Sequence, residues 1–124
     1  MQNKPVRFGP IALSATLTTN ILNPGTTTGG VNMPATSGNL YFLIKHIRIV
    51  NKTGTAATAF LWIGATGANA AGTEFGFQGT VIPANSYVDF YPGTVTLDVA
   101  DFLVGGASSA TTLTIEGSGE IGIR

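Results

Sequence analysis

Short runs of alternating apolar residues, separated by turn residues, constrain this chain most. The run Leu40–Asn51 is the strongest. One parity holds Tyr41, Leu43, Lys45, Ile47 and Ile49, and the other holds Phe42, Ile44, His46, Arg48 and Val50. Alternation of this kind is typical of β-strands, and the apolar spacing of an amphipathic helix is not sustained anywhere. Apolar residues at both parities predict a strand that is covered on both sides for part of its length.

The same pattern predicts further strands with turns between them. Predicted strands cover about Ile11–Leu22, Ala57–Gly64, Glu74–Gln78, Ser86–Tyr91, Thr94–Leu97, Thr111–Glu116 and Gly119–Ile123, with a loop over 24–39 and a helical turn or bend over 98–104. Asn51-Lys52-Thr53-Gly54 has the residues of a hairpin turn with Gly54 at positive φ. Seven or eight short strands predict an all-β fold, an antiparallel β-sandwich or jelly roll.

Length favours one domain with an N-terminal extension. The chain has 124 residues, and single domains commonly hold about 100–150. Residues 10–124 are therefore predicted to form a single β-sandwich domain. Residues 1–9, with Lys4, Arg7 and Phe8, are predicted to be an extended arm outside the core.

Composition excludes several classes of protein. Cysteine is absent, which excludes a disulfide scaffold, a thiol nucleophile and a cysteine-rich zinc site. The formal net charge is zero, whereas nucleic-acid binding needs a basic surface. No apolar run approaches the ~18 residues of a membrane span, and the first residues lack the apolar stretch of a secretory signal. We expect no nucleic acid, no membrane and no cofactor among the partners.

The zero net charge conceals an asymmetry along the chain. Residues 1–73 carry five cations and no acid, whereas residues 74–124 carry six acids and one cation, so the two parts are +5 and −5. Either the two parts interleave in the fold and mix their charges, or the subunit is bipolar and favours head-to-tail association. The sequence leaves both open because strand order decides between them.

Two glycine-rich stretches resemble phosphate-binding motifs only superficially. Residues 117–122 match the pattern G-x-G-x-x-G, but that motif needs a helix after it to hold a pyrophosphate. Only two residues follow. The loop Gly64–Gly72 lacks the lysine and hydroxyl of a phosphate-binding loop. We expect no nucleotide site.

Candidate catalytic groups are few, and we expect no enzyme. His46 is the only histidine and has Lys45 and Arg48 nearby, cations that disfavour a metal ion. A structural or surface histidine is the simpler interpretation. Asp98 and Asp101 are three residues apart, a spacing at which aspartates commonly hold backbone N–H groups. No catalytic or metal-ligating set is predicted.

Two groups of aromatic residues have a structural and a binding interpretation. Tyr41, Phe60 and Trp62 either pack in the core or form a stacking platform. In the second group, Tyr87 and Tyr91 share a parity with Asp89, and Val88 and Phe90 share the other. Val88 and Phe90 are predicted to be in the core, with the tyrosines half exposed or in an interface.

Several stretches resemble a group of small β-rich virion proteins of tailed bacteriophages. They are Ile47–Gly54, Leu61–Gly67, Ile82–Ser86 and Leu97–Gly117, and the resemblance covers about residues 40–124. The shared pattern is a strand, a short turn, a second strand and an Ile-Pro-Ala-Asn-Ser turn, followed by an acidic turn and an Ala-Ser-Ser-Ala-Thr-Thr-Leu-Thr-Ile strand. The resemblance implies a non-enzymatic structural protein, a capsid decoration or minor capsid protein.

On this resemblance we expect a decoration (cement) protein on the capsid surface of the virion. Its partners would be the major capsid protein and other copies of itself, with a trimer as one arrangement. Charged residues make up 10% of the chain, which favours a surface packed against other subunits. Lys4 and Arg7 are the expected contacts to acidic shell groups, and Phe8 an apolar plug. Two alternatives remain open: a tail tube, tip or fibre component, and a carbohydrate-binding module using Trp62 or Tyr91.

Overall fold

The computed structural model describes residues 4–26, 28–30, 40–93 and 95–123, which form nine β-strands. The strands are β1 (Lys4–Ala12), β2 (Thr19–Leu22), β3 (Leu40–Asn51), β4 (Ala57–Gly64), β5 (Glu74–Ile82), β6 (Ser86–Phe90), β7 (Val95–Asp98), β8 (Phe102–Ala107) and β9 (Leu113–Ile123). The first sheet has the order β1-β9-β3-β6, with β7 also paired to β3, and the second has the order β2-β8-β4-β5. Every pairing is antiparallel. The predicted all-β antiparallel sandwich is confirmed.

The two sheets pack through apolar side chains from both layers. The fully buried ones include Phe8, Phe42, Ile44, Ile47, Ile49, Leu97 and Ile115 from the first sheet and Leu22, Ala59, Leu61, Ile82 and Leu103 from the second. Burying each larger aliphatic or aromatic side chain contributes about 1.5–3 kcal/mol. This shared core holds the outer faces of both sheets in place.

Strand β9 lies between β1 and β3 and is glycine-rich where aromatic rings cross it. Phe8 on β1 lies directly opposite Gly117. A Cβ on Gly117 would come within 2.5 Å of the Phe8 ring, and one on Gly119 within 2.8 Å of the Phe42 ring. The two rings meet edge to face at 6.1 Å. Glycine is required at both positions because the backbone carbonyls of His46 and Leu43 on β3, together with the two rings, occupy the space of a side chain.

A β-bulge in β3 moves the inward-facing positions from even to odd numbers. The register with β9 shifts between Ile44 and His46, so that β3 has an extra residue there. Buried positions are Leu40, Phe42 and Ile44 before the bulge and Ile47, Ile49 and Asn51 after it. The fully buried apolar residues of both parities therefore line the same inner face, while Tyr41, Leu43 and Val50 lie half-buried on the outer face. Whether other residues cover that outer face stays a prediction.

Two buried asparagines hold connections between the sheets. Asn51 donates from Nδ2 to the Thr55 and Ile82 carbonyls at 2.9 and 3.1 Å, and it accepts from the Thr53 backbone N–H at 2.9 Å. Asn23 donates to the Val99 and Asp101 carbonyls. The turn after β3 therefore leads to the other sheet and is not a hairpin, and Gly54 is not at positive φ.

Three strand predictions differ from the structure. The predicted strand Ile11–Leu22 is two strands in different sheets, because local Ser14 and Thr19 hydrogen bonds to the Thr16 carbonyl make a turn between them. Strand β8 was not predicted because Gly105 and Gly106 interrupt its apolar pattern. Strand β9 was predicted as two strands, Thr111–Glu116 and Gly119–Ile123, because Gly117 and Gly119 lower the strand signal between them, but it is continuous. The predicted loop over 24–39 falls largely on 27 and 31–39, outside the described residues.

The predicted separation of an N-terminal arm was also wrong for residues 4–9. They are extended, as expected, but they belong to β1 and pair with β9. Phe8 is fully buried in the core of its own chain. The Phe8 side chain is therefore not available as an apolar contact for a partner, and residues 4–9 belong to the domain.

Substituting glycine in β9 tests the packing of the two rings. We expect Gly119→Ala to lower the free energy of unfolding by about 3 kcal/mol, because the added Cβ meets the Leu43 carbonyl and the Phe42 ring. Gly54→Ala is the matched control, since nothing lies within 4 Å of its added Cβ. Urea unfolding followed by tryptophan fluorescence measures both. Equal stability of the two variants would contradict this account of β9.

Phe8 provides a second test, of whether β1 belongs to the domain. We expect Phe8→Ala to cost about 3–5 kcal/mol, the usual loss for a buried phenylalanine. The control is Lys4→Ala on the same strand, which removes an exposed side chain and should change stability by less than about 0.5 kcal/mol. Thermal unfolding of both variants decides. A melting temperature of Phe8→Ala equal to wild type would restore the free-arm hypothesis.

Candidate interaction surface

The outer face of the first sheet, turned away from the second, mixes charges from both parts of the chain. Its ion pairs are Arg7–Glu116 at 2.8 Å, Lys45–Glu120 at 2.6 Å and Arg48–Asp89 at 2.7 Å. Each joins a cation from residues 1–73 to an acid from residues 74–124. The interleaved interpretation is confirmed for this face, and the bipolar one does not hold there.

Asp89 on β6 is the centre of the most connected group on this face. Its Oδ1 accepts from Arg48 Nε at 2.7 Å, and its Oδ2 accepts from Arg48 Nη2 at 3.2 Å. His46 Nε2 also lies 2.8 Å from Oδ1 and donates there, since an ionised carboxylate only accepts. Arg48 and Asp89 are directly opposite in the β3–β6 register, so the sheet itself sets this geometry.

Two tyrosines flank Asp89: Tyr87 lies within β6, and Tyr91 directly follows the end of that strand. The Arg48 guanidinium carbon lies 4.4 Å from the centroid of the Tyr87 ring. The His46 and Tyr91 rings are stacked, with centroids 4.7 Å apart and planes 20° apart. Tyr87 and Tyr91 are nevertheless 54% and 69% exposed. We call Tyr87, Arg48, Asp89, His46 and Tyr91 the tyrosine strip.

The inner face of β6 fixes the strip in place. Phe90 packs edge to face against Phe75 and Phe77 of β5, with ring centroids 5.4 and 5.8 Å apart. Its ring also occupies the space where Gly76, at φ +76°, would carry a Cβ. Val88 packs against the same core. The prediction that Val88 and Phe90 point inward and the tyrosines outward is confirmed.

Two hydrogen-bond donors of the strip change the acidity of Asp89. Hydrogen bonds from Arg48, then from His46, stabilise the carboxylate and lower the pKa of Asp89 below its ordinary value, although partial desolvation opposes them. The hydrogen bond to Asp89 also raises the pKa of Arg48. Asp89 is therefore ionised throughout the neutral range.

A second surface feature is a shallow groove of about 360 Å³ along β1, which we call the β1 groove. Its lining residues are Pro5, Val6, Arg7, Lys45, Ser118, Gly119 and Glu120. It lies beside the bulge of β3. Among the predicted partner-binding residues, Arg7 lines the groove, Lys4 is exposed at the start of β1, and Phe8 lies in the core.

The first aromatic group is divided between the two sheets. Phe60 and Trp62 stack on β4 with centroids 5.9 Å apart, whereas Tyr41 lies on β3. Trp62 is 8% exposed, so its ring is not free to stack on a sugar or a base. The hypothesis of a shared platform, and the role of Trp62 in a carbohydrate module, were wrong.

The other predicted motifs have structural roles. The G-x-G-x-x-G residues lie inside strand β9. Asp101 Oδ2 accepts from the Asp98 backbone N–H at 3.0 Å, and the Asp101 N–H donates to the Asp98 carbonyl at 2.9 Å, which closes a turn. Within the described residues, no group of three metal-ligating side chains lies together. The same residues include no helix long and apolar enough to cross a membrane.

The contacts of Arg48 with Tyr87 and of His46 with Tyr91 were not predicted from the sequence. By strict alternation, these two β3 residues fall on the parity of the buried Phe42 and Ile44. The bulge turns them outward, where they face β6. The signal available in the sequence is the pair of charged or polar residues, Lys45 and His46, that interrupts an apolar run.

Comparison with models of protein families and with curated proteins finds no match for the chain.

The pH dependence of stability tests the Asp89 contacts. The folded state lowers the pKa of Asp89. The ionised Asp89 side chain therefore stabilises the fold above the ordinary aspartate pKa of about 4, and this stabilisation is lost as the pH falls through the lower pKa of the folded state. Asp89→Asn should therefore show a smaller fall in melting temperature between pH 7 and pH 3 than wild type. Glu74→Gln, which neutralises a carboxylate on the second sheet, is the control. An unchanged slope for Asp89→Asn would refute this role.

Proposed function

We propose that this chain is a structural protein of a tailed-bacteriophage virion, a decoration protein that binds the outside of the major capsid shell. The resemblance of residues 40–124 to small β-rich virion proteins supports this role. The observation that supports the mode of binding is the β1 groove. It presents the exposed Arg7 side chain beside Pro5 at the edge of the first sheet.

Arg7 is suited to exchange its partner. Its side chain is 69% exposed and pairs with Glu116, and exposed ion pairs contribute about 0–1 kcal/mol. Arg7 can therefore leave Glu116 and pair with an acidic group of the shell at little cost in folding stability. Pro5, an exposed residue of the same strand that also lines the groove, supplies an apolar contact, and Lys4 adds a second cation at the start of the strand.

The backbone edge of β1 favours contact through side chains rather than strand addition. Within the described residues β1 pairs with β9 alone. Pro5 has no N–H to donate, and the Gly9 N–H already donates to the Gly29 carbonyl at 2.9 Å. Prolines at an edge strand oppose pairing with a foreign strand. The partner is accordingly recognised by the groove and its cations.

Binding to the assembled shell stabilises it by mass action. A protein that binds only the assembled state shifts the equilibrium toward that state. Copies of the chain associate on the shell and clamp neighbouring capsid subunits. No catalytic step is part of this role.

The test is the occupancy of shells that lack the protein. We expect Arg7→Glu to reduce cosedimentation with such shells on the order of tenfold, because an acid would then face the acidic shell. Lys52→Glu makes the same charge change at an exposed position beyond the end of β3 and should bind like wild type.

Electron cryomicroscopy of the virion locates the protein independently. Density on the outside of the shell is the expected result. Density restricted to the tail would replace this proposal with the tail-component alternative. Absence of the protein from the virion would overturn the proposed function. Equal occupancy of shells by Arg7→Glu and wild type would overturn the proposed contact surface.

A further inference from the structure

The tyrosine strip has no role in the proposed shell contact, yet hydrogen bonds and ring contacts join all five of its side chains. Tyr87 and Tyr91 are two of the three large apolar side chains that are more than half exposed in the described part of the chain, the third being Val81 at 57%. An exposed aromatic ring that is held in position is typical of a binding surface.

Both rings are held ready for contact. Tyr87 on β6 and Tyr91 just after its end are four residues apart at the same outward parity, which corresponds to about 13 Å along an extended chain. Arg48 covers one face of Tyr87, and His46 covers one face of Tyr91. A ligand therefore meets rings whose rotamers are already restricted, which lowers the entropy cost of binding.

The groups between the rings can both donate and accept hydrogen bonds. Arg48 has five N–H donors, and two of its nitrogens donate to Asp89. Asp89 Oδ2 accepts one of these bonds and retains capacity for another. The opposite charges of Arg48 and Asp89 balance, so the strip selects for hydroxyl groups rather than for an anion or a cation.

We propose that the tyrosine strip binds a neutral β-linked oligosaccharide. A β-linked chain is extended, which matches two rings held about 13 Å apart along an extended segment. A pyranose ring has an apolar C–H face that stacks on an aromatic ring, and its rim carries hydroxyls that both donate and accept. Two such rings on Tyr87 and Tyr91, with hydroxyls bonded to Arg48 and Asp89, would satisfy every group of the strip.

The shape of the surface favours a sugar chain over a proline-rich peptide. Proline-rich segments dock into grooves between aromatic residues. Neither Tyr87 nor Tyr91 lines the β1 groove, and both side chains are more than half exposed on the outer side of the first sheet. Exposed rings outside a groove suit a ligand that stacks on their free faces.

The experiment is a titration of the full chain with cellohexaose and chitohexaose, followed by backbone amide chemical shifts and calorimetry. We expect the shifts to cluster on β6 and the second half of β3. Tyr87→Ala and Tyr91→Ala should each weaken binding on the order of tenfold. Tyr91→Phe, which keeps the ring, should bind like wild type, and so should the control Val81→Ala, which removes exposed apolar surface elsewhere.

The outcomes separate this proposal from the shell contact. Arg7→Glu should bind the hexaoses normally, and Tyr91→Ala should occupy shells normally. Binding of neither hexaose would overturn the proposal, as would binding unaffected by both tyrosine substitutions. Binding of a proline decamer without either hexaose would assign the strip to a peptide instead and reject the sugar.

Discussion

The packing of two phenyl rings against the glycines of β9 is the contact on which the first sheet depends. Gly117 and Gly119 give β9 a bare inner surface between β1 and β3, and Phe8 and Phe42 fill it from opposite sides. This places the N-terminal strand in the core. It also draws β9 close enough to both neighbours for Glu116 and Glu120 to meet Arg7 and Lys45 on the other face.

A single extra residue in β3 decides what the outer face presents. Without the bulge, His46 and Arg48 would point inward among apolar side chains, where an unpaired cation is strongly disfavoured. With it, the first half of β3 contributes Phe42 and Ile44 to the core, and the second half contributes Ile47 and Ile49. The outward positions then match Asp89 and its flanking tyrosines across the β3–β6 pairing.

Much of this fold is predictable from local pattern, and the rest depends on contacts between distant segments. The strands Leu40–Asn51 and Ala57–Gly64 were predicted with their observed bounds because β-branched and aromatic residues dominate both. Strand β8 and the continuity of β9 were missed, since a glycine lowers the strand signal locally but is required by a ring or backbone from elsewhere. The outward direction of Tyr87 and Tyr91 followed from alternation. Their contacts with His46 and Arg48 were not predicted. A bulge reverses which residues of β3 face outward, and it has no distinct local signal in the sequence.

The position of β9 has a consequence for the order in which the domain folds. Strand β3 pairs with β6 and β7 without any help from β9. Strand β1, in contrast, joins the first sheet only through β9, which lies far from it along the chain. Contacts of such high sequence separation slow folding, so we expect the docking of the eleven-residue strand β9 between β1 and β3 to be a late step.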